Sequence, residues 1–476
     1  MLSHPPVPPR RLARLRRLAH HARRLVLGAA LLAALPAAAL PAAASAHPLL
    51  LISIDGLRPG EVLEAPARGL ALPHLRAFLA QGAYAQGVTG VLPTITYPSH
   101  TTLITGKAPA AHNIVANTTF DPLQINAEGW YWYASDITAP TLWQAAHEAQ
   151  LTTGNVHWPV SVGAAGIDWN LPQIWHTGHA DDEKLLGALA TPGLLPALQA
   201  SEGAYARGID ESMAGDETRA RFAVRLIGLH HPDFLTVYLT ALDHTQHLEG
   251  PGSAPAHATL ERLDALVGEL VAAERAAHPD ADIALVSDHG FAPVTQALNL
   301  GRAFLDAGLL TGENKGPGRG YALTGWQAAP WPCGGSFAVV LARPQDAALQ
   351  ARVADLLAKL AANPANGIKR IITAPAIHAG GGNPEASFFV ELAAGTMAMP
   401  WRGPDLPLMV APAPYKGMHG YFPDDPRMRA TFLVMGPGVA AGRDLGVIDM
   451  RAIAPTLAGL MGARLTGEVA PLALAP

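Results

Sequence analysis

Carboxylates and imidazoles stand directly after several apolar runs of this chain, at the points where a strand would end. In open α/β sheets, ligands bind at the carboxyl ends of strands. Three aspartates and three histidines supply enough oxygen and nitrogen donors for two zinc-like ions. The pattern therefore predicts a two-metal hydrolase. The residues concerned are Asp55, Asp243, His247, Asp288, His289 and His419.

The local spacing of these residues suits metal binding. Asp243 and His247 are four positions apart, so one helical turn would place both on the same side of an ion. His419 stands between glycines, where the backbone can approach closely. Two divalent ions about 3.5–4 Å apart can clamp the attacking and leaving oxygens of an in-line displacement at phosphorus.

Such a site needs a nucleophile, and Thr96 is the candidate. It stands just before Pro98, which suits the first turn of a helix. A hydroxyl at a helix N-terminus meets partial positive charge, which favours its alkoxide. The alternative is that Thr96 only caps the helix, a common role for threonine there. Thr94 and Thr101 are rival nucleophiles.

Strand-like and helix-like segments alternate along the chain, which predicts an α/β fold with a largely parallel sheet flanked by helices on both faces. The sequence predicts an amphipathic helix over 73–81 and a helix that follows 94–100 and ends near Gly106, and apolar spacing predicts helices over 141–150 and 259–277. It predicts strands ending at Asp55 and over 233–240, 282–287, 336–341, 387–392 and 430–435. The stretch 302–416 is rich in Gly, Pro and Trp and separates two groups of ligand candidates, so we expect a subdomain inserted into one catalytic domain.

Residues 1–46 have the composition of a secretory signal. They contain seven arginines and no acidic residue, followed by an apolar run from Leu25 to Ala43. The run ends at Ala44-Ser-Ala46, a cleavage pattern of small residues. We predict cleavage after Ala46, a catalytic domain over 47–476, and a periplasmic or secreted bacterial protein. An uncleaved membrane anchor is the alternative, and Arg23-Arg24 only loosely resembles a twin-arginine signal.

Charge and cysteine content narrow the choice of partners. Without the leader, Lys+Arg falls from 33 to 26 while Asp+Glu stays at 38, a net charge of about −12. No basic run remains, so we expect no nucleic-acid-binding surface. We also expect no stable membrane anchor, and the sequence does not determine the oligomeric state. Cys333 is the only cysteine, which excludes an internal disulfide and suits a buried structural thiol.

The ordered motifs resemble the nucleotide pyrophosphatase/phosphodiesterase family of the alkaline phosphatase superfamily, over nearly the whole mature chain. Ile-Ser-Ile-Asp55-Gly-Leu-Arg resembles the opening metal motif of the family, and Pro-Thr-Ile-Thr96-Tyr-Pro-Ser-His its nucleophile motif. Ala-His-Asn-Ile-Val-Ala-Asn117 resembles the stretch whose asparagine contacts a phosphate oxygen. The segments around Asp243, Asp288 and His419 complete the set.

The resemblance implies an alkaline phosphatase-like fold and two Zn²⁺ ions per chain. One ion would bind Asp243, His247 and His419, and the other would bind Asp55, Asp288 and His289. The resemblance also implies that Thr96 attacks phosphorus, and that Asn117 and the Thr96 backbone N–H stabilise the phosphoryl oxygens. Mixed nitrogen and oxygen ligands leave iron or manganese open as alternatives to zinc.

Two family positions differ in this chain, and neither is a metal ligand. Ser99 replaces the usual asparagine, and Asn113 replaces the usual glycine, so we expect tuning of the site. In the region that holds the base in this family, Tyr97 and Trp175 are candidates to stack on it, worth roughly 1–3 kcal/mol per base. The alternative for Trp175 is a core position.

The predicted substrate is a small nucleotide or other phosphodiester, whose phosphodiester or pyrophosphate bond is hydrolysed by two displacements through a phospho-threonine. A threonine-nucleophile phosphomonoesterase is the closest rival. Those enzymes carry a Lys-x-Arg pair where this chain has the acidic run 176–184, and a dianion would be poorly matched there. A lipid-headgroup or phosphonate hydrolase is a further alternative. An inactive phosphate-binding relative is the non-enzyme alternative, although no expected ligand or nucleophile is missing.

Overall fold

Six consecutive apolar or small residues, Leu49–Ile54, form a strand at the centre of the main sheet, and all six are buried. The computed structural model describes residues 46–126, 129–175, 181–206, 210–316, 321–399 and 410–475. The predicted leader lies outside these ranges except for Ala46, and so does 176–180 of the acidic run. Within these ranges, no helix combines the length and the apolar content that a membrane crossing requires.

The strands are short and numerous. In chain order they are β1 Leu49–Ile54, β2 Gly82–Tyr84, β3 Gly87–Thr89, β4 Thr153–Val156, β5 Trp169–Leu171, β6 Phe234–Leu239, β7 Asp282–Val286, β8 Ala292–Leu298, β9 Leu310–Asn314, β10 Tyr321–Trp326, β11 Ala328–Pro332, β12 Ser336–Leu341, β13 Ile368–Thr373, β14 Ala386–Leu392, β15 Gly395–Ala398, β16 Val410–Pro412, β17 Gly417–Met418, β18 Phe432–Met435, β19 Arg443–Asp444 and β20 Val447–Asp449.

The helices alternate with them. They are α1 Pro59–Leu63, α2 Pro73–Gln81, α3 Thr96–Thr105, α4 Pro109–His112, α5 Leu142–Glu148, α6 Asp182–Leu189, α7 Leu194–Glu202, α8 Met213–His230, α9 Ala241–Glu249, α10 Ala254–Ala277, α11 Leu300–Asp306, α12 Ala347–Ala361, α13 Ala374–Ala379 and α14 Ile453–Leu460.

The main sheet has eight strands in the order β19-β2-β18-β7-β1-β6-β4-β5. From β7 to β5 neighbouring strands run parallel, whereas β18 is antiparallel to both of its neighbours. The predicted α/β fold with a mostly parallel sheet is therefore confirmed. The parallel strands bring their carboxyl ends to one edge, which is where β1, β6 and β7 deliver the candidate ligands.

Helices cover both faces of this sheet, because the side chains of β1 alternate between two apolar cores. Leu50 and Ile52 pack into one core with residues of α8 and α10. Leu49 and Leu51 pack into the other with residues of α5 and α14. Burial on both faces explains why β1 reads as a continuous apolar run.

The four strands between residues 328 and 392 form a separate antiparallel sheet in the order β11-β12-β14-β13. Much of it packs into an apolar cluster that also contains residues of α11, α12 and β8. This sheet lies within the predicted insertion 302–416. The boundaries of the insertion stay a prediction, since β15, β16 and β17 pair with β8 outside it.

One predicted helix boundary is wrong. The helix expected to start at Thr259 starts at Ala254. The Ser253 side chain accepts a hydrogen bond from the Ala256 N–H and Pro255 occupies the first turn, so the helix is capped before its buried stripe begins. The sequence prediction followed the apolar stripe and missed the cap.

Candidate active site

The first group of ligand candidates comes from two neighbouring strands. Asp55 follows β1 and Asp288 follows β7, and these strands pair in parallel. The Gly56 N–H donates to Asp288 Oδ1 at 3.1 Å, which ties the two strand ends together. His289 Nε2 lies 3.4 Å from Asp55 Oδ1 and 3.1 Å from Asp288 Oδ2. All three side chains are buried.

The second group lies on the other side of β1. Asp243 and His247 project from α9, which follows β6, and His247 Nε2 lies 3.3 Å from Asp243 Oδ2. His419 follows β17, and its Nε2 lies 3.7 Å from Asp243 Oδ1. The four-residue spacing thus places both α9 side chains toward one point, as the sequence predicted.

The two groups meet through their histidines. The rings of His289 and His419 stack with centroids 3.7 Å apart and planes 10° from parallel. Within each group, one potential ligand atom per residue lies within 4.8 Å of the others. The structure therefore brings together the same two sets of three residues that the family resemblance implied.

Backbone carbonyls orient the three imidazoles. The Nδ1–H of His247 donates to Gly417 O at 3.0 Å, that of His289 to Gly290 O at 3.1 Å, and that of His419 to Thr94 O at 3.4 Å. Because a carbonyl only accepts, these contacts place a proton on Nδ1, so Nε2 is the nitrogen that carries the lone pair when the ring is neutral. Metal-binding histidines in proteins are oriented in this way.

The nearby side chains supply too little positive charge to keep all three buried carboxylates ionised. Burial, and then the charge of Asp288, hold the pKa of Asp55 well above its usual range. Burial and the charge of Asp243 likewise raise the pKa of Asp288. Burial would raise the pKa of Asp243 too, but the neighbouring charge of His247 outweighs it and lowers that pKa.

These side chains fit divalent cations. Four buried polar atoms of the two groups have no hydrogen-bond partner among the described residues; they are Asp55 Oδ1, Asp243 Oδ1, Asp288 Oδ2 and His289 Nε2. Unpaired buried polar atoms are costly, and a cation between them removes that cost. Each set combines one or two carboxylate oxygens with one or two imidazole nitrogens, which are donor types that divalent metal ions accept in proteins.

Thr96 is the first residue of α3 and is 9% exposed. The N-cap position is occupied by Ile95, and no side chain caps the helix, so Thr96 is not the cap. The rival hydroxyls are engaged elsewhere. Thr94 Oγ1 donates to Tyr421 O at 2.6 Å and Thr101 Oγ1 to Tyr97 O at 2.8 Å.

Asn117 is anchored to the same helix end. Its Oδ1 accepts a hydrogen bond from the Tyr97 N–H at 2.9 Å. The amide nitrogen of Asn117 is thereby left as the donor of that side chain. The Thr96 N–H, at the first position of α3, has no partner among the described residues. Two donors therefore remain for an anion at this helix N-terminus.

Tyr97 and Trp175 lie side by side and contact each other directly, with no space for a base between them. Trp175 Nε1 donates to the Tyr97 hydroxyl at 3.0 Å, and Tyr97 is only 1% exposed. Trp130 stacks on Trp175 with ring centroids 3.9 Å apart. Sequence reasoning missed Trp130, although it starts the aromatic run 130–133. Base stacking by Tyr97 and Trp175 stays a prediction.

Three further residues position the site, and sequence reasoning missed their roles. The Tyr238 hydroxyl, from β6, donates to Asp55 Oδ2. His100 is buried on α3, and burial lowers its pKa to about 3. It is therefore neutral, donates from Nδ1 to Thr96 O at 2.9 Å and accepts from Ser53 Oγ at 2.9 Å. The contacts of Tyr238 with Asp55 and of His100 with Ser53 join residues that are remote in sequence, so no local pattern reveals them. The contact of His100 with Thr96 spans one helical turn, but a buried histidine on a helix is equally compatible with a core position.

The third positioning residue, Asp216, caps the helix that carries Asp243 and His247. Its carboxylate accepts from the N–H of Thr240 at 2.9 Å and of Ala241 at 2.8 Å, at the start of α9. Arg219 Nη1 donates to the same carboxylate at 2.6 Å and to Thr240 Oγ1 at 3.0 Å. Asp216 and Arg219 are both fully buried. This ion pair therefore sets the position of α9.

We expect Asp216→Asn to weaken metal binding by the Asp243, His247 and His419 group by roughly tenfold or more, as is usual when a residue that supports a ligand is changed. An asparagine cannot accept from both backbone N–H groups and from Arg219. The measurement is zinc content per chain after dialysis against a series of chelator concentrations.

The matched control is Asp264→Asn. Asp264 also caps a helix from a distance, since it accepts from the N–H groups of His74 and Leu75 at the start of α2, but α2 carries no ligand candidate. Both variants should lose thermal stability, and only Asp216→Asn should lose zinc. Equal zinc retention in the two variants would mean that Asp216 has only a structural role.

Comparisons with known proteins agree with this arrangement. Residues 49–376 match the model of the family described as type I phosphodiesterase / nucleotide pyrophosphatase. Human ectonucleotide pyrophosphatase/phosphodiesterase family member 1 is 28% identical over 255 residues, which are 51% of this chain and 23% of that protein. The venom phosphodiesterase of Macrovipera lebetinus is 26% identical over 254 residues, 52% of this chain and 26% of that protein.

Solved structures show the same fold. Human ectonucleotide pyrophosphatase/phosphodiesterase 5 superposes with a TM-score of 0.62 at 18% identity, covering 89% of this chain and 97% of that chain. An inactive variant of the murine protein, in complex with AMP, superposes with a TM-score of 0.61. This chain spans about a quarter of the length of the curated relatives named above. Because the family model covers more than half of the chain, the chain belongs to the type I phosphodiesterase / nucleotide pyrophosphatase family.

Proposed function

We propose that this chain is a secreted hydrolase of phosphodiester or pyrophosphate bonds in nucleotides, acting through Thr96 with two zinc ions. One observation carries the proposal: two sets of three ligand candidates, all buried except the partly exposed His247, meet near the start of α3, where the Thr96 side chain caps no helix. Family membership supports the reaction class. The signal-like composition of residues 1–46 supports action outside the cytoplasm.

The proposed metal ligands are the residues that the structure groups together. Asp243, His247 and His419 would hold one ion, and Asp55, Asp288 and His289 would hold the other. When bound, the two cations supply Lewis acidity and positive charge at the attacking and leaving oxygens. The nitrogen and oxygen donors suit zinc, and iron or manganese remain alternatives.

In the first proposed step, the Thr96 hydroxyl loses its proton and its oxygen bonds to phosphorus, while the bond from phosphorus to the leaving oxygen breaks. In the second step, water attacks phosphorus, the bond to Thr96 breaks and the hydroxyl regains a proton. The Asn117 amide nitrogen and the Thr96 N–H would donate to the phosphoryl oxygens in both steps. His100 holds the Thr96 carbonyl at 2.9 Å, so it positions the nucleophile.

Nucleotide recognition is the finer part of the proposal. The base would stack on Trp175 or Tyr97, and Trp130 covers one face of Trp175. Stacking on that face therefore requires Trp130 to move. The rival reading, a phosphomonoesterase, needs cationic groups that grip a dianion, and part of the acidic run where the resemblance implies them lies outside the described residues. An inactive relative would lack a ligand or the nucleophile, and this chain has them all.

The substrate class is tested by comparing kcat/KM for p-nitrophenyl thymidine 5′-phosphate and for p-nitrophenyl phosphate with zinc-loaded protein. The two substrates share a leaving group and differ in the second ester. The expected ratio is far above one, because the non-bridging oxygens of a diester carry one negative charge, whereas those of a monoester carry up to two. A ratio below one would favour the phosphomonoesterase.

The nucleophile is tested by substitution. Thr96→Ala should lower kcat by roughly three orders of magnitude or more, the scale seen when a nucleophile is removed. Thr96→Ser keeps a hydroxyl and should retain a large part of the activity. After acid quenching of a reaction with p-nitrophenyl thymidine 5′-phosphate, the thymidine 5′-phosphoryl group should remain covalently attached to the unmodified protein and not to Thr96→Ala.

Thr101→Ala is the matched control, because it removes a threonine hydroxyl from the same helix and should leave kcat within a few-fold of the unmodified value. Full activity of Thr96→Ala, or loss of the covalent thymidine 5′-phosphoryl group in Thr101→Ala instead, would contradict the assignment.

A further inference from the structure

A cavity of about 490 Å³ opens beside the two ligand groups. Asn117 and His419 line one part of it, so the cavity is continuous with the place where phosphorus would be bound. Its volume lies in the range of roughly 300–1,000 Å³ that is typical of small-molecule sites.

The cavity is lined mainly by apolar side chains, several of which are conformationally adaptable. Trp130 and Tyr415 contribute aromatic rings, and Met397, Met399 and Met418 contribute thioethers. The three methionines are buried, whereas Tyr415 is 39% exposed. Methionine adapts its shape to irregular ligands and makes favourable contacts with aromatic rings.

The described part of the cavity lining carries no carboxylate, ammonium or guanidinium group, because none of its residues is a Lys, Arg, Asp or Glu. A second phosphate group placed here would lose hydration without gaining a cationic partner, which is costly. The lining therefore disfavours a polyphosphate and favours an uncharged organic group.

The rings of Tyr97 and Trp175, which Trp130 also contacts, differ from the open cavity because they already touch one another. There the Tyr97 hydroxyl accepts from Trp175 Nε1, and Trp130 covers one face of the Trp175 ring. Space for a substituent of phosphorus is thus already open in the apolar cavity, whereas the Tyr97 and Trp175 rings are in contact.

We propose that the apolar cavity binds one ester substituent of the substrate, and that this substituent is an uncharged apolar or aromatic group. The substrate class is accordingly a phosphodiester with an organic ester group in the cavity, in preference to a pyrophosphate. This inference rests on the proposed function, since it assumes that phosphorus is bound between Asn117 and the ligand groups.

The test is calorimetric binding to zinc-loaded protein of two monoanions of equal charge, diphenyl phosphate and dimethyl phosphate. The zinc-loaded protein carries the Thr96→Ala substitution in this measurement, so that the proposed nucleophile is absent and binding is measured without turnover. Diphenyl phosphate should bind at least about tenfold more tightly, as burial of an aromatic ring implies. Absence of measurable diphenyl phosphate binding, or a ratio near one, would overturn the proposal.

Substitutions of residues that line the cavity test whether the preference for diphenyl phosphate arises there. Tyr415→Lys places a charge on the cavity wall at a half-exposed position that tolerates it, and should reduce the affinity ratio several-fold. Tyr415→Phe keeps the ring and should preserve the ratio. Leu229→Lys is the charge control, because Leu229 is 41% exposed on α8 and does not line the cavity. An unchanged ratio in Tyr415→Lys and in Met399→Lys would assign the preference to another surface.

The outcomes separate this inference from the proposed function. If the protein fails to hydrolyse p-nitrophenyl thymidine 5′-phosphate but keeps the binding ratio, the proposed reaction is wrong and the cavity assignment stands. If it hydrolyses that diester and binds the two monoanions equally, only the cavity assignment fails.

Discussion

Repulsion among three buried aspartates is the constraint on which the rest of the site depends. Asp55, Asp243 and Asp288 lie in one water-poor region, where burial and mutual charge raise the pKa of two of them. No lysine or arginine makes an ion pair with any of them among the described residues. A folded protein tolerates such a cluster only with protons or cations between the carboxylates, and the oriented Nε2 atoms of the histidines favour cations.

The fold holds these groups against their repulsion through hydrogen bonds to their side chains or to the elements that carry them. Asp55 and Asp288 follow paired strands, and the Gly56 N–H joins them. The imidazoles are oriented by carbonyls of three different segments, and the Asp216–Arg219 ion pair fastens the start of α9. These anchors come from remote parts of the chain, so the site forms only when the sheet is complete. Thr96 enters the same region because α3 starts there with an uncapped N-terminus.

The sequence predicted the strand ends that carry the ligand candidates, but it did not predict the contacts between residues that are remote along the chain. Strand ends at Asp55 and Asp288 were predictable because strands buried on both faces read as continuous apolar runs. Their division into two groups came only from the family resemblance, since spacing alone does not say which strands are neighbours. Asp216 was not predictable as an anchor, because its partners Thr240 and Ala241 lie more than twenty positions away. Trp130 was missed because an aromatic residue in a loop has no periodicity to mark it.

The most direct test of the central claim is the number of zinc ions that metal-free protein binds, measured by titration and by metal analysis of the dialysed product. The two-metal site predicts two ions per chain in the unmodified protein and one in Asp288→Asn. It also predicts weaker binding as the pH falls, because the raised pKa of Asp55 and Asp288 means that protons compete with the ion for those carboxylates. A folded protein that binds one ion or none at neutral pH would contradict the two-metal site.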